Sequence, residues 1–193
     1  MRAVSREFML GRLVALWDAG AHFEIRGWYR WEADAIIGTY DATGPHPFPA
    51  CSAVLAAAAV SPRIRWDQVK GALPGLLTGK DGGPWIGRNG AKARDILDRG
   101  LVDPREVFPF ATSPKLHHFA RALCGDRSAV TVDVWSARAV GLDPERLTPR
   151  RVRDAVAAHR CLARTVGVDP REVQSRIWSF VRSRPGRLSV GVE

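Results

Sequence analysis

The chain is poor in lysine, cysteine and tyrosine, and it has no long apolar run. Only Lys70, Lys80, Lys92 and Lys115 are lysines among 29 basic residues; the rest are arginines. Arginine stays protonated, whereas a lysine can lose its proton on burial and become a nucleophile. Each lysine in this background is therefore worth following. The three cysteines, Cys51, Cys124 and Cys161, are odd in number and widely spaced. They fit neither a zinc site nor a four-cysteine iron–sulfur site, so buried free thiols are expected, with no metal and no cofactor. The longest apolar run, AVLAAAAV at 53–60, falls far short of the about 20 residues that a membrane helix requires. The opening MRAVSREFML lacks a secretory apolar region and a cleavage site, so the expected setting is cytoplasmic, away from membranes.

What the chain has is positive charge. The net charge is +9 and the isoelectric point about 10.4, a balance that favours a polyanionic partner such as DNA. The excess is concentrated: residues 138–187 hold twelve arginines against five acids. Solvated helix faces in an arginine-rich composition are the plain alternative.

With 46% hydrophobic residues the chain folds around a core, and its periodicity is helical almost throughout. The pattern predicts an all-α fold of about ten helices. SREFMLGRLVALWDA at 5–19 places Phe8, Leu10, Leu13, Val14 and Trp17 roughly on one stripe, with Ser5 as N-cap. A second helix is expected over WYRWEADAIIGTYDA, and ACSAVLAAAAV, apolar nearly all round, should lie at the centre of the core. RIRWDQVKGALPGLL follows, with Pro74 expected to kink or end it. TGKDGGPWIGRNG reads as a loop without P-loop spacing. The helix AKARDIL closes near Gly100, and DPREVFPFAT connects onward. Two helices opening with Thr-Pro and Asp-Pro finish the chain, the N-cap and N1 signal.

Chemistry concentrates in SPKLHHFARALCGDRSAVTVDVWSAR, residues 113–138. Lys115 stands 18 residues ahead of Asp133, with a helix, a polar break and a β-branched run between. VDVWSAR, with Val132, Asp133, Trp135 and Arg138, resembles the segment that carries the catalytic aspartate of the helix–hairpin–helix DNA glycosylase superfamily. Upstream, AKARDIL at 91–97 and AVSPRIRWDQV at 59–69 are similar to two further segments of that family, in the same order. The likeness covers about residues 50–140 and is nearest an actinobacterial and phage branch.

The resemblance implies a single unit over 1–193 with two lobes around a cleft. A central helical lobe would cover about 45–130; the second would combine the N-terminal helix with about 131–185. It implies a monomer acting on DNA, with Asp133 and Lys115 catalytic and Arg63 at the wedge that fills the duplex when a base leaves. Thr112, Ser113, His117, Arg121 and Arg138 would contact DNA. Trp66, Trp135 and Gln174 would line the pocket. Gln174 and Trp178 lie four apart on one helix face, with core packing the default for Trp178. For Asp133 the plain alternative is a helix N-cap; for Lys115, a surface position. Core packing is the ordinary use of Trp66 and Trp135.

The hairpin departs from the family. PFATSPK has Ala111 and Ser113 where glycines normally let backbone amides reach a phosphate, and Pro114 removes an N–H. Thr112 and Ser113 hydroxyls are the available substitutes. Three functions therefore compete: base-excising N-glycosylase with possible AP-lyase activity, phage-type base-hypermodification transferase, and non-catalytic DNA-binding protein.

Overall fold

The computed structural model describes residues 4–21, 23, 27–62, 64–80 and 87–183. Among them are ten α-helices, one 3-10 turn and no strand. The chain divides into two compact units, a middle unit over 29–125 and a terminal unit over 1–28 and 126–193. Arg63 lies outside the described residues.

The middle unit is organised around α3 (Ala50–Val60), whose residues Ser52 to Val60 are all buried. Four consecutive alanines leave a thin helix that neighbours can approach closely. Around it pack α4 (Trp66–Leu77), α5 (Arg88–Asp98) and α7 (Pro114–Leu123). They contribute Leu73, Ile96 and Phe119 among other buried residues. Ser52, the polar member of that run, is satisfied because its hydroxyl donates to Leu101 O at 2.8 Å. Preceding α3 is α2 (Trp28–Ala42), which buries Tyr29, Ala33 and Ile36.

Pro74 does not end α4, which runs on to Leu77. It sits on the exposed side of the last turn, where the missing N–H costs one bond. Its carbonyl is well used: the backbone N–H and hydroxyl of Thr78 donate to it at 3.1 and 2.8 Å. Helix α5 begins at Arg88, inside the expected loop, and the expected connector contains α6 (Pro104–Val107), capped by Asp103.

In the terminal unit α1 (Arg6–Ala19), α8 (Val134–Ala139), α9 (Pro149–Val166) and α10 (Pro170–Ser183) pack together. The caps are where local chemistry puts them: Ser5 Oγ accepts from Phe8 N, and Thr148 Oγ1 from Arg151 N. The buried face of α1 is Met9, Arg12, Leu13 and Leu16, not the expected stripe; Phe8 and Val14 are exposed. Arg12 is the reason. Its guanidinium turns inward to donate to Ala139 O at 2.9 Å and Arg138 O at 3.4 Å, closing the last turn of α8. Arg176 does the same for α1, donating to Gly20 O and Trp17 O at 2.9 Å each, with its guanidinium 3.8 Å from the Trp17 ring centroid. Part of the positive charge is thus consumed inside, on carbonyls in the last turns of α8 and α1. Beyond α8, Gly141 has φ +75°, and a Cβ there would meet Phe8 at 2.8 Å. Only glycine fits that bend.

Candidate functional site

Asp133 precedes α8 and caps it: Oδ1 accepts from Ser136 N at 2.8 Å. Oδ2 accepts from the indole Nε1–H of Trp178, on α10, at 2.7 Å. Both oxygens are therefore fixed while the residue stays partly exposed. Helix α8 has six residues, too few to be stable alone, and it is held by Asp133 at one end and Arg12 at the other. The surroundings are aromatic and cationic. Trp28 lies 6.5 Å from Trp178 between ring centroids, and the Arg182 guanidinium stands 4.8 Å from the Trp178 ring. Arg138 is exposed and stands 5.0 Å over Trp135, which is half-buried. Behind the cap, Ser136 and Gln174 are buried, with the Gln174 amide directed at Ser136 Oγ at 3.5 Å.

The expected hairpin belongs to the middle unit. The backbone N–H groups of Thr112 and Ser113 both donate to Pro109 O, at 3.2 and 2.9 Å. Thr112 Oγ1 donates to the same carbonyl at 3.3 Å. Amides that a glycine hairpin would aim outward are turned in on their own turn. Ser113 precedes α7 and its side chain makes no capping bond.

His117 is committed internally. Its Nδ1–H donates to Phe108 O at 2.8 Å, and its Nε2 accepts from Arg121 Nη1 at 3.1 Å. That pairing holds the ring neutral. Its pKa lies below the ordinary imidazole value, through partial burial first and then the charges of Arg121 and Arg105. His118 is buried and His117 is partly exposed. Trp66 is half-buried, its ring edge-on to Phe119 at 5.3 Å.

The lysines separate cleanly. Lys92 Nζ donates to Val107 O at 2.7 Å and lies 4.6 Å from the Phe108 ring centroid. Lys70 pairs with Glu32 at 2.7 Å. Lys115 is exposed on the first turn of α7, with no ion pair among the described residues. Lys115 lies in the middle unit and Asp133 in the terminal unit.

The cysteines are free, but they are not buried as expected: Cys51 and Cys124 are exposed and Cys161 is half-buried. Cys51 is the second residue of α3 and Cys124 follows the last of α7, so both sit at helix ends. Among the described residues no group of three or more His, Cys, Asp or Glu side chains is placed to hold a metal. No described helix is long and apolar enough to cross a membrane.

Sequence reasoning missed Trp178 as the partner of Asp133, and it missed the Arg12 clamp. Neither pair has a spacing signature. The one available signal was the Gln174–Trp178 spacing, which marks the face of α10 that meets α8.

The architecture is therefore a two-unit, all-helical protein with one partly exposed carboxylate locked by an indole and a helix end. The chain belongs to the family of unknown function DUF7178, whose profile matches residues 1–185. No curated protein and no solved structure matches it.

Proposed function

We propose that the protein is a DNA base-excising N-glycosylase of the helix–hairpin–helix kind, with Asp133 as the catalytic carboxylate. The observation that carries the reading is the fixation of both Asp133 oxygens, by Ser136 N–H and Trp178 Nε1–H. Breaking an N-glycosidic bond develops positive charge on the sugar. A carboxylate that needs no reorganisation stabilises that charge better than a mobile one. It also orients or deprotonates the group that attacks C1′. The order of three family-like segments supports the assignment, as does the arginine excess, which suits a phosphate-bearing substrate.

Lys115 is the proposed attacking amine. Its nitrogen bonds to C1′ as the base departs with the glycosidic electron pair and takes up the proton the amine loses. The C1′–O4′ bond then breaks, O4′ leaving with its electron pair and gaining a proton, and the Schiff base so formed permits β-elimination. The chemistry requires Lys115 in its neutral form. The target base must leave the stack to be reached. Arg63 is the proposed wedge. Trp135 and Gln174, in the same unit as Asp133, are proposed to line the pocket, and Arg138 to contact DNA. His117 and Arg121, tied to each other, shape the hairpin that carries Thr112 and Ser113.

A second reading draws on the inward-turned amides of Thr112 and Ser113. A hairpin that does not grip phosphate as the glycosylases do is consistent with a transferase that modifies a base on the same scaffold.

One experiment separates these readings. DNA from the source organism and from its phages is incubated with the protein, then bases and nucleosides are analysed by mass spectrometry. Release of a free base supports excision. A heavier nucleoside supports modification and overturns excision. Unchanged DNA that is nevertheless bound leaves a non-catalytic DNA-binding protein.

A further inference from the structure

We infer that the outward face of α9 is a second DNA-contacting surface that tracks the phosphate backbone of a duplex. The inference rests on the DNA reading above, but on different residues.

Several described arginines of the terminal unit have an internal task. Arg12 and Arg176 close helix ends, and Arg160 donates through Nε to Ser128 O at 2.9 Å. Helix α9 nonetheless carries Arg150, Arg153, Arg160 and Arg164 at intervals of three, seven and four. Those intervals set them along one stripe. The opposite side holds the buried residues Val152, Ala155, Val156, His159, Leu162 and Ala163. Arg150, Arg153 and Arg164 are exposed. From first to last the stripe runs about 21 Å, at about 1.5 Å of rise per residue. Its single acid, Asp154, is neutralised by Arg6 at 2.9 Å. Beside Arg160, which meets Ser128, stands Arg127, its side chain 85% exposed and 4.0 Å from the Asp169 carboxylate.

The side chains between the arginines select the partner. Ala157, Cys161 and Thr165 give no aromatic platform on which single-stranded bases could stack. They give no bulky apolar ridge to enter a lipid surface either. What remains is a row of planar, permanently charged forks, whose geometry matches phosphate oxygens two at a time. Such contacts fix position without reading sequence.

The test is fluorescence anisotropy with a duplex of arbitrary sequence across a salt series. The full chain is compared with the Arg150→Gln/Arg164→Gln double variant. Each lost phosphate contact lowers the slope of log affinity against log salt by about one, so a drop of about two is expected. Arg30→Gln, at an exposed position paired with Asp34 in the middle unit, should leave the slope unchanged. An unchanged slope in the double variant overturns the inference, as does an equal drop with Arg30→Gln. Base release by a double variant with unaltered slope overturns the stripe and leaves excision standing. A lowered slope, with no base released when the full chain is incubated with the source-organism and phage DNA, supports the stripe and overturns excision.

Discussion

The indole of Trp178 and the carboxylate of Asp133 are 45 residues apart in sequence and joined by a 2.7 Å hydrogen bond. The bond ties α10 to the residue that opens α8, so the last described helix sets the orientation of the proposed catalytic group. Trp178→Phe keeps most of the ring and removes the donor. The expected result is a single-turnover excision rate lower by about tenfold, with DNA affinity unchanged, since the bond orients the carboxylate and does not touch the duplex. Equal losses in rate and affinity would assign Trp178 to binding instead.

Arg12 stabilises the other end of α8. Replacing it with Met keeps much of the stem and leaves the carbonyl of Ala139 without its donor, while Arg138 O keeps the Gly141 N–H at 3.1 Å. Because the site is buried, the expected cost is about 1–3 kcal/mol, read from the midpoint of urea unfolding. The excision rate should fall too, because α8 no longer holds Asp133 in place. A variant as stable as the parent would show that the clamp does not matter.

His159 gives the fold a dependence on acid. The ring is fully buried, its Nδ1–H donates to Ala155 O at 2.9 Å, and its Nε2 has no hydrogen-bond partner. Burial brings its pKa down to about 4 from an ordinary 6.5. The unfolded chain therefore takes up the proton first. The stabilisation is fully present above pH 6.5 and is lost progressively as pH falls towards 4, amounting to on the order of 3 kcal/mol. His159→Leu should flatten that part of the stability curve, measured by urea unfolding between pH 7.5 and 4.5. Parallel curves for the two proteins would contradict the assignment.

Lys115 is the proposed covalent partner. Borohydride should trap an adduct between the protein and DNA carrying a substrate base, and Lys115→Ala should abolish it. Trapping that persists in Lys115→Ala would remove this residue from the role and point to another amine.

Much of the helical framework was legible because its signals are local. Ser5, Asp133 and Thr148 each accept from a backbone N–H within the next three residues, and a run such as 53–60 has nowhere to go but the core. Long-range relationships were not legible. Arg12 and Arg176 read as surface charge, since nothing nearby in sequence shows that a carbonyl from another helix awaits them. Their inward turn moved the buried face of α1 away from Phe8 and Val14. The cysteines were misjudged for a related reason: chemistry alone favours burial of a thiol, but Cys51 and Cys124 stand where helices meet solvent. The candidate site was half visible. Asp133 announced itself by type and position, whereas Trp178 did not.

The most direct test of the proposal is single-turnover base release by the full chain and by Asp133→Asn. Asparagine remains a good N-cap, so α8 and DNA binding should survive while the negative charge is lost. The expected outcome is a free base from the parent protein and at least a hundredfold slower release from Asp133→Asn, a loss of about 2.7 kcal/mol of transition-state stabilisation. Release at the parental rate from Asp133→Asn would leave Asp133 as a helix cap and nothing more.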